Sequence, residues 1–139
     1  MGVIEGRTWL EIVPESECYE LLAKGDWGRL AVTVETHPEI FPVNYALDDE
    51  RSIVFRVDAG TKLTGLHRAG VVAFQIDDAD SAERRGWSVL AIGPVHEIQR
   101  SEEMKRAHGV GLQPWAVGDK VHWMKITPQR VTGRRIVPI

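Results

Sequence analysis

A chain of 139 residues with 43% hydrophobic residues is sized for one globular domain, residues 1–139, with its own core, and intrinsic disorder is excluded. The 17 basic and 20 acidic residues are interspersed, for a net charge of −3; no basic stripe forms, so a nucleic-acid partner is not expected. The single Cys18 excludes an intrachain disulfide framework and a cysteine-cluster metal site.

No apolar run is long enough to span a membrane, and the N-terminus lacks a charged-then-apolar signal pattern. A cytoplasmic location is therefore the expectation. Residues 1–13 carry apolar side chains without a clean period and read as a mobile arm that ends in a short edge strand. A helix follows from Pro14 to about Lys24. Proline is tolerated in a first turn, Glu15 and Glu17 suit the N-terminal dipole, and Gly25 is the expected C-terminal cap. Cys18, Leu21 and Leu22 form its apolar face, which makes Cys18 an inert core thiol.

From Trp27 the period changes to two. Leu30, Val32 and Val34 alternate with Arg29, Ala31 and Thr33. After a turn at Thr36-His37-Pro38, Phe41, Val43, Tyr45 and Leu47 share one face of a second strand. Pro42 within it argues for an edge or a bulge. Asp48-Asp49-Glu50-Arg51 is a polar hairpin turn, and a third strand runs from Ser52 to Val57. A helix from Thr61 to near Gly70 and a strand from Val71 to Asp77 come next. Residues 78–85 read as a flexible polar loop. The long strand Gly86 to Ile98 is interrupted at Gly93-Pro94, which suggests a barrel corner. Ser101 is the expected cap of a short helix to His108. Residues 109–119 form a loop, and two last strands cover Lys120–Thr127 and Val131–Val137. Short turns between six or seven strands, with few helices, predict a mainly β, antiparallel barrel.

Residues 53–66, IVFRVDAGTKLTGL, hold the clearest chemistry. A strand, a turn with Gly60 and a helix start bring backbone N–H groups and a positive dipole end into one small space. Arg56 faces away from Phe55 and so points out of the core. Lys62 sits where a cation is unfavourable unless an anion is also present. This is a cradle for a phosphate without a Walker loop. The five histidines, His37, His67, His96, His108 and His122, show no metal-ligand spacing, and no metal site is expected. Hydrolase elbow, Walker and dinucleotide fingerprints are absent from the sequence.

The chain resembles the pyridoxamine 5′-phosphate oxidase-like, FMN-binding split barrels, and the small bacterial members more than the true oxidase. The likeness rests on Gly28-Arg29-Leu30-Ala31 and on Pro38-Glu39-Ile40-Phe41-Pro42-Val43-Asn44-Tyr45. It continues through Val54-Phe55-Arg56 with Gly60-Thr61-Lys62, and Trp87-Ser88-Val89 with Gly93. Last come His122-Trp123 and Thr132-Gly133-Arg134-Arg135. The resemblance implies a six- to seven-stranded antiparallel split β-barrel and a homodimer with two cofactor sites at the subunit interface. It puts Arg56, Thr61 and Lys62, beside Phe55, on the FMN phosphate. The flavin ring falls along Pro42, Val43, Asn44 and Tyr45. Trp87 and Ser88 match a position that contacts flavin from the other subunit, and Trp123 and Arg134 or Arg135 match the C-terminal contacts.

The implied activity is flavin-dependent oxidoreduction of a small conjugated substrate. Two alternatives stay open. One is a deazaflavin-dependent reductase. The other is a non-catalytic flavin-binding or storage module. No side chain stands out as a catalytic acid or base.

Overall fold

The computed structural model describes residues 2–5, 8–112 and 122–138. These form nine strands and three helices. Strand β1 (Gly2–Glu5) and β2 (Thr8–Val13) make a hairpin. Helix α1 (Glu15–Lys24) leads into β3 (Trp27–Val34), β4 (His37–Leu47) and β5 (Ile53–Val57). Helix α2 (Thr61–Arg68), the hairpin of β6 (Val71–Asp80) and β7 (Arg85–Glu97), and α3 (Ser101–His108) follow. The last strands are β8 (His122–Ile126) and β9 (Arg130–Pro138).

All pairings are antiparallel, and β7, β6, β3, β4, β5 and β8 close on β7 again as a six-stranded barrel. Closure removes the free edges that an open sheet would expose. The expected mainly β split barrel is the observed one. Strands β3 to β9 are the seven read from the sequence.

The split is made by β7. Its first half pairs with β9, Gly86 to Ile92 against Ile136 to Arg130, and its end pairs with β8, Val95 to Glu97 against Ile126 to Met124. The β8–β9 connection crosses over Gly93, where a Cβ would lie 2.0 Å from the Thr127 carbonyl oxygen. Thr127 and Gln129 donate their N–H groups to the carbonyls of Pro94 and Ile92 on either side. Gly93-Pro94 therefore marks a change of partner. The strand itself is unbroken, because glycine leaves room for a crossing backbone.

Period two explains the core. In β3, Leu30, Val32 and Val34 are buried between exposed neighbours. They meet Val72, Phe74 and Ile76, then Tyr45, Phe55, Met124 and Ile126, with Cys18 and Leu22 of α1 and Leu63 and Leu66 of α2 closing the barrel. The opposite face of β5 puts Val54 into a smaller cluster with Ile98, Ala107 and Met104 under α3. Pro42 lies where β4 pairs with β3 alone, so its missing N–H interrupts no ladder.

Three expectations are corrected. In the arm, residues 2–5 and 8–13 pair as antiparallel strands, and β2 adds to β9 from Thr8↔Pro138 to Val13↔Gly133. Gly25 is the C-cap of α1 as expected, its N–H donating to the Leu22 carbonyl, in an extended conformation (φ −85°, ψ 166°) and not the left-handed one. It is needed because a Cβ there would sit 2.3 Å from the Tyr45 hydroxyl. Ser101 is the first residue of α3, and Arg100 occupies the cap position without a side-chain cap. The 78–85 loop is a tight turn, since β6 and β7 pair as far as Asp80↔Arg85. The expected start of the eighth strand at Lys120, and most of the 109–119 loop, lie outside the described residues. Among the described residues no helix is long and apolar enough to cross a membrane.

Candidate functional site

Strand β5 sorts its side chains to two sides. Ile53, Phe55 and Val57 enter the main core, and Arg56 goes the other way. Its guanidinium lies over the ring of Trp123, the β8 residue opposite it in register, 4.8 Å from the ring centroid. His108 of α3 packs against the same indole with ring centroids 4.8 Å apart. The Nε of Arg56 is buried and has no hydrogen-bond partner among the described residues. A buried donor without a partner costs roughly 1–3 kcal/mol, more for a charged group. Such a group is either a strain or a place for an absent acceptor.

The turn after β5 supplies the rest of the cradle. Gly60 has φ 144° and ψ −161°, a backbone region open to glycine and costly for other residues. A Cβ on Gly60 would meet nothing within 4 Å, so the glycine is there for its conformation, over open space. Helix α2 begins at once with Thr61, which is exposed. Its first turn holds no acidic residue, and no side chain caps it. Thr64 turns its N–H and its hydroxyl back to the Gly60 carbonyl, at 3.0 and 3.1 Å, which tightens the turn. The ammonium of Lys62 lies over the Phe41 ring at 4.6 Å, so the misplaced cation is partly offset by an aromatic face. Arg68, not singled out from the sequence, lines a cleft of about 240 Å³ with Thr61, Thr64 and Thr33.

A phosphate monoester fits these donors. The orphaned Nε, the uncapped helix start and the Thr61 hydroxyl all donate, and the helix dipole has the right sign. Arg56, Thr61 and Lys62 flank the link from β5 to α2; Arg56 stacks on Trp123, Lys62 lies over Phe41, and the cleft at Thr61 is lined by neither cation.

The Pro42–Tyr45 run divides by face. Val43 and Tyr45 are buried in the main core, as is Phe55, so their side chains are not available to a ligand. The Tyr45 hydroxyl donates to the Leu22 carbonyl at 2.6 Å, and burial, with Asp26 nearby, raises its pKa. It is no acid or base for chemistry outside the core. Pro42 and Asn44 face outward, and the Asn44 amide donates to the Asp26 carbonyl at 3.2 Å.

Trp87, Ser88 and Arg134 are gathered elsewhere. They line a groove of about 350 Å³ with Leu10 and Ile136. Ser88 pairs with Arg134 and Trp87 with Arg135 across β7 and β9. Arg135 is taken by Glu17 and Glu11 on α1 and β2, which leaves Arg134 as the arginine of the groove. The groove contains no member of the Arg56–Thr61–Lys62 group.

Besides Arg68, one residue escaped the sequence reading. Glu97, at the end of β7, accepts from His67 Nε2 on α2 at 2.7 Å and from His122 Nδ1 on β8 at 2.8 Å. The His122 hydrogen bond first, and then that of His67, hold the Glu97 carboxyl below its usual range against the opposite push of burial. The members stand 25 and 30 residues apart, so only the barrel register reveals them. Among the described residues just one group, Asp48, Asp49 and Glu50, brings three metal-ligating atoms within 4.8 Å. Its Asp48 is already bonded to the N–H groups of Glu50 and Ser52 as part of the hairpin turn.

Barrel closure and the split at β7 define a split barrel, with a glycine turn and an uncapped helix start after β5. Residues 14–135 match the model of the pyridoxamine 5′-phosphate oxidase family, and the chain belongs to that family. It is 35% identical over 126 residues to an uncharacterized protein of Mycobacterium tuberculosis, covering 87% of this chain and 82% of the relative. It is also similar to the solved structure of the FAD binding protein from Mycobacterium smegmatis. That likeness has 34% identity and a TM-score of 0.74, over 90% of this chain and 98% of the other. A conserved protein of unknown function from Corynebacterium diphtheriae superposes with a TM-score of 0.76 at 30% identity, over 94% and 98% of the two chains.

Proposed function

We propose that this chain binds a flavin through its phosphate, and that FMN is the cofactor. The observation that carries the reading is the buried Nε of Arg56, without a hydrogen-bond partner among the described residues, on the strand that leads into the uncapped start of α2. Family membership and the FAD binding relative of M. smegmatis support a flavin as the bearer of that phosphate. FAD carries the same ribityl phosphate, so both are tested. Arg56 and Thr61 would hold the phosphate, with Lys62 adding charge. Outward-facing Pro42 and Asn44, and the backbone between them, would meet the ring. A bound flavin supplies hydride or electron transfer, and the protein supplies anchorage, orientation and shelter from water. An oxidoreductase acting on a small conjugated substrate is the activity we infer.

A homodimer completes the reading. The Trp87–Ser88–Arg134 groove shares no residue with the cradle, as expected if a second copy presents it. Ile12 and Ile136 are 65% and 42% exposed, an apolar surface that a partner copy would cover.

Titration of the apo-protein with FMN, FAD and a deazaflavin, read by fluorescence quenching, tests the central claim. Binding of FMN or FAD well below millimolar is expected. Affinities of all three no better than about 1 mM, near −4 kcal/mol, would refute it. Turnover of NADH or NADPH with a nitroaromatic acceptor then separates an enzyme from a carrier. Light scattering gives the mass, and a monomer at micromolar concentration would remove the shared-site arrangement.

A further inference from the structure

We propose that Glu97 is the positioning residue of the phosphate cradle, a brace that fixes its two halves relative to each other. The inference rests on the flavin-phosphate reading above. One half of the cradle is the start of α2, with Thr61 and Lys62. The other is Arg56, stacked on Trp123 of β8. Arg56 and Thr61 are five residues apart along the chain, but Trp123, which carries the guanidinium, belongs to β8, a separate element from α2. Glu97 joins both.

One carboxylate oxygen, Oε1, receives the Nε2–H of His67, and the other, Oε2, receives the Nδ1–H of His122. An ionised carboxylate only accepts, so it fixes the proton of His67 on Nε2 and that of His122 on Nδ1. His67 belongs to the last turn of α2, six residues from Thr61, or about 9 Å along the axis. A helix that short moves as one body. Leu63 and Leu66 are buried, and Gly65 lies against Val34 with only 3.2 Å for a Cβ; these contacts settle which face is inward. Apolar contacts are non-directional and leave sliding and tilt poorly specified. The directed bond to Glu97 supplies that missing constraint.

The second arm acts on Arg56. His122 immediately precedes Trp123, and the Ile98 N–H, next after Glu97, donates to the Trp123 carbonyl at 2.8 Å. The Glu97-Ile98 dipeptide therefore grips His122-Trp123 by one side-chain and one backbone bond. The indole so placed is the platform under the Arg56 guanidinium. Glu97 is only 18% exposed, which shields both bonds from competition by water. The two imidazoles bond opposite oxygens, the geometry of a bridge between elements.

The test compares FMN with riboflavin, which lacks the phosphate, on wild type and on Glu97→Ala, using fluorescence quenching. A brace of the phosphate cradle predicts that Glu97→Ala weakens FMN by about tenfold while riboflavin changes far less. Equal weakening of the two would mean a general structural role and would overturn the proposal, as would no change in either. His67→Ala is the second variant. Its side chain is 48% exposed, so folding tolerates its loss, and it cuts the α2 arm alone. It should reproduce the FMN-selective loss in part, even where Glu97→Ala does not fold. An unchanged FMN-to-riboflavin ratio in His67→Ala refutes the brace. Failure of the wild type to bind FMN at all would instead refute the flavin reading.

Discussion

Two corners of the barrel each hold a polar side chain with a buried polar atom against an aromatic ring, and they treat it in opposite ways. Near α1, the Tyr45 hydroxyl bonds the Leu22 carbonyl, packs edge-on against Phe74 with centroids 4.8 Å apart, and has its space kept by Gly25. Beside α3, the Arg56 guanidinium stacks on Trp123 with its Nε left over. The first corner is closed and complete without a ligand. The second is built with the same care, and yet that Nε has no acceptor among the described residues. Stability selects for satisfied buried groups. A well-braced group left unsatisfied is better understood as made for something that arrives later.

The largest expected effect tests the frame on which both corners hang. Gly93→Ala places a methyl group in the Thr127 carbonyl, where backbone cannot yield. A loss of about 3 kcal/mol or more is expected by urea denaturation, and a loss under about 1 kcal/mol would show that the crossing can open. Arg56→Ala addresses the open corner. FMN affinity should fall by about tenfold to a hundredfold, from loss of a charge-assisted bond worth roughly 1.5–3 kcal/mol, while stability holds or rises. A variant that is destabilised and binds FMN normally would invert the comparison. Tyr45→Phe addresses the closed corner, and removes the shorter of two hydrogen bonds to the Leu22 carbonyl, which keeps the Gly25 N–H at 3.3 Å. A loss of about 1–2 kcal/mol in stability with unchanged FMN affinity is expected from denaturation and titration run side by side.

The smallest effect is one of pH. The Glu97 pKa is lowered on folding from its ordinary value of 4.5. Its contribution is therefore fully present above pH 4.5 and is lost as pH falls through the lowered folded value. Glu97→Gln should be less stable than wild type above that window, and the gap should close on acidification. A gap that stays constant with pH would mean that the carboxylate charge is not what holds the two histidines.

What the sequence made legible follows from range. Arg56, Gly60, Thr61 and Lys62 lie within seven residues, and a strand-to-helix turn needs only local chemistry to be recognised. The seven strands β3 to β9 were visible because burial on one face imposes period two. Gly25 was legible as a cap because a glycine after a helix has a local signature, but its second role, making room for Tyr45, depends on a residue twenty positions on. The hairpin of β1 and β2 was missed because its partner is β9. Its edge is satisfied by a pairing that no local pattern announces. Glu97 escaped for the same reason: a lone glutamate in a strand is ordinary, and its meaning comes from two histidines delivered by other elements. Ile136, Ile12 and the Ser88–Arg134 pair share that property, since register alone puts them on one surface.

The register of β2 on β9 has a consequence for how the molecule is made. Thr8 meets Pro138, so β2 has only β1 as a partner until nearly all the intervening chain exists. During synthesis the six barrel strands can begin to pair while β2 waits with its other edge open. Loop closure over so long a span is slow compared with hairpin formation. The hairpin should therefore dock last, on a barrel already formed, and be the first to leave under mild denaturant. Exchange of its amide hydrogens would be the earliest sign that the protein is opening.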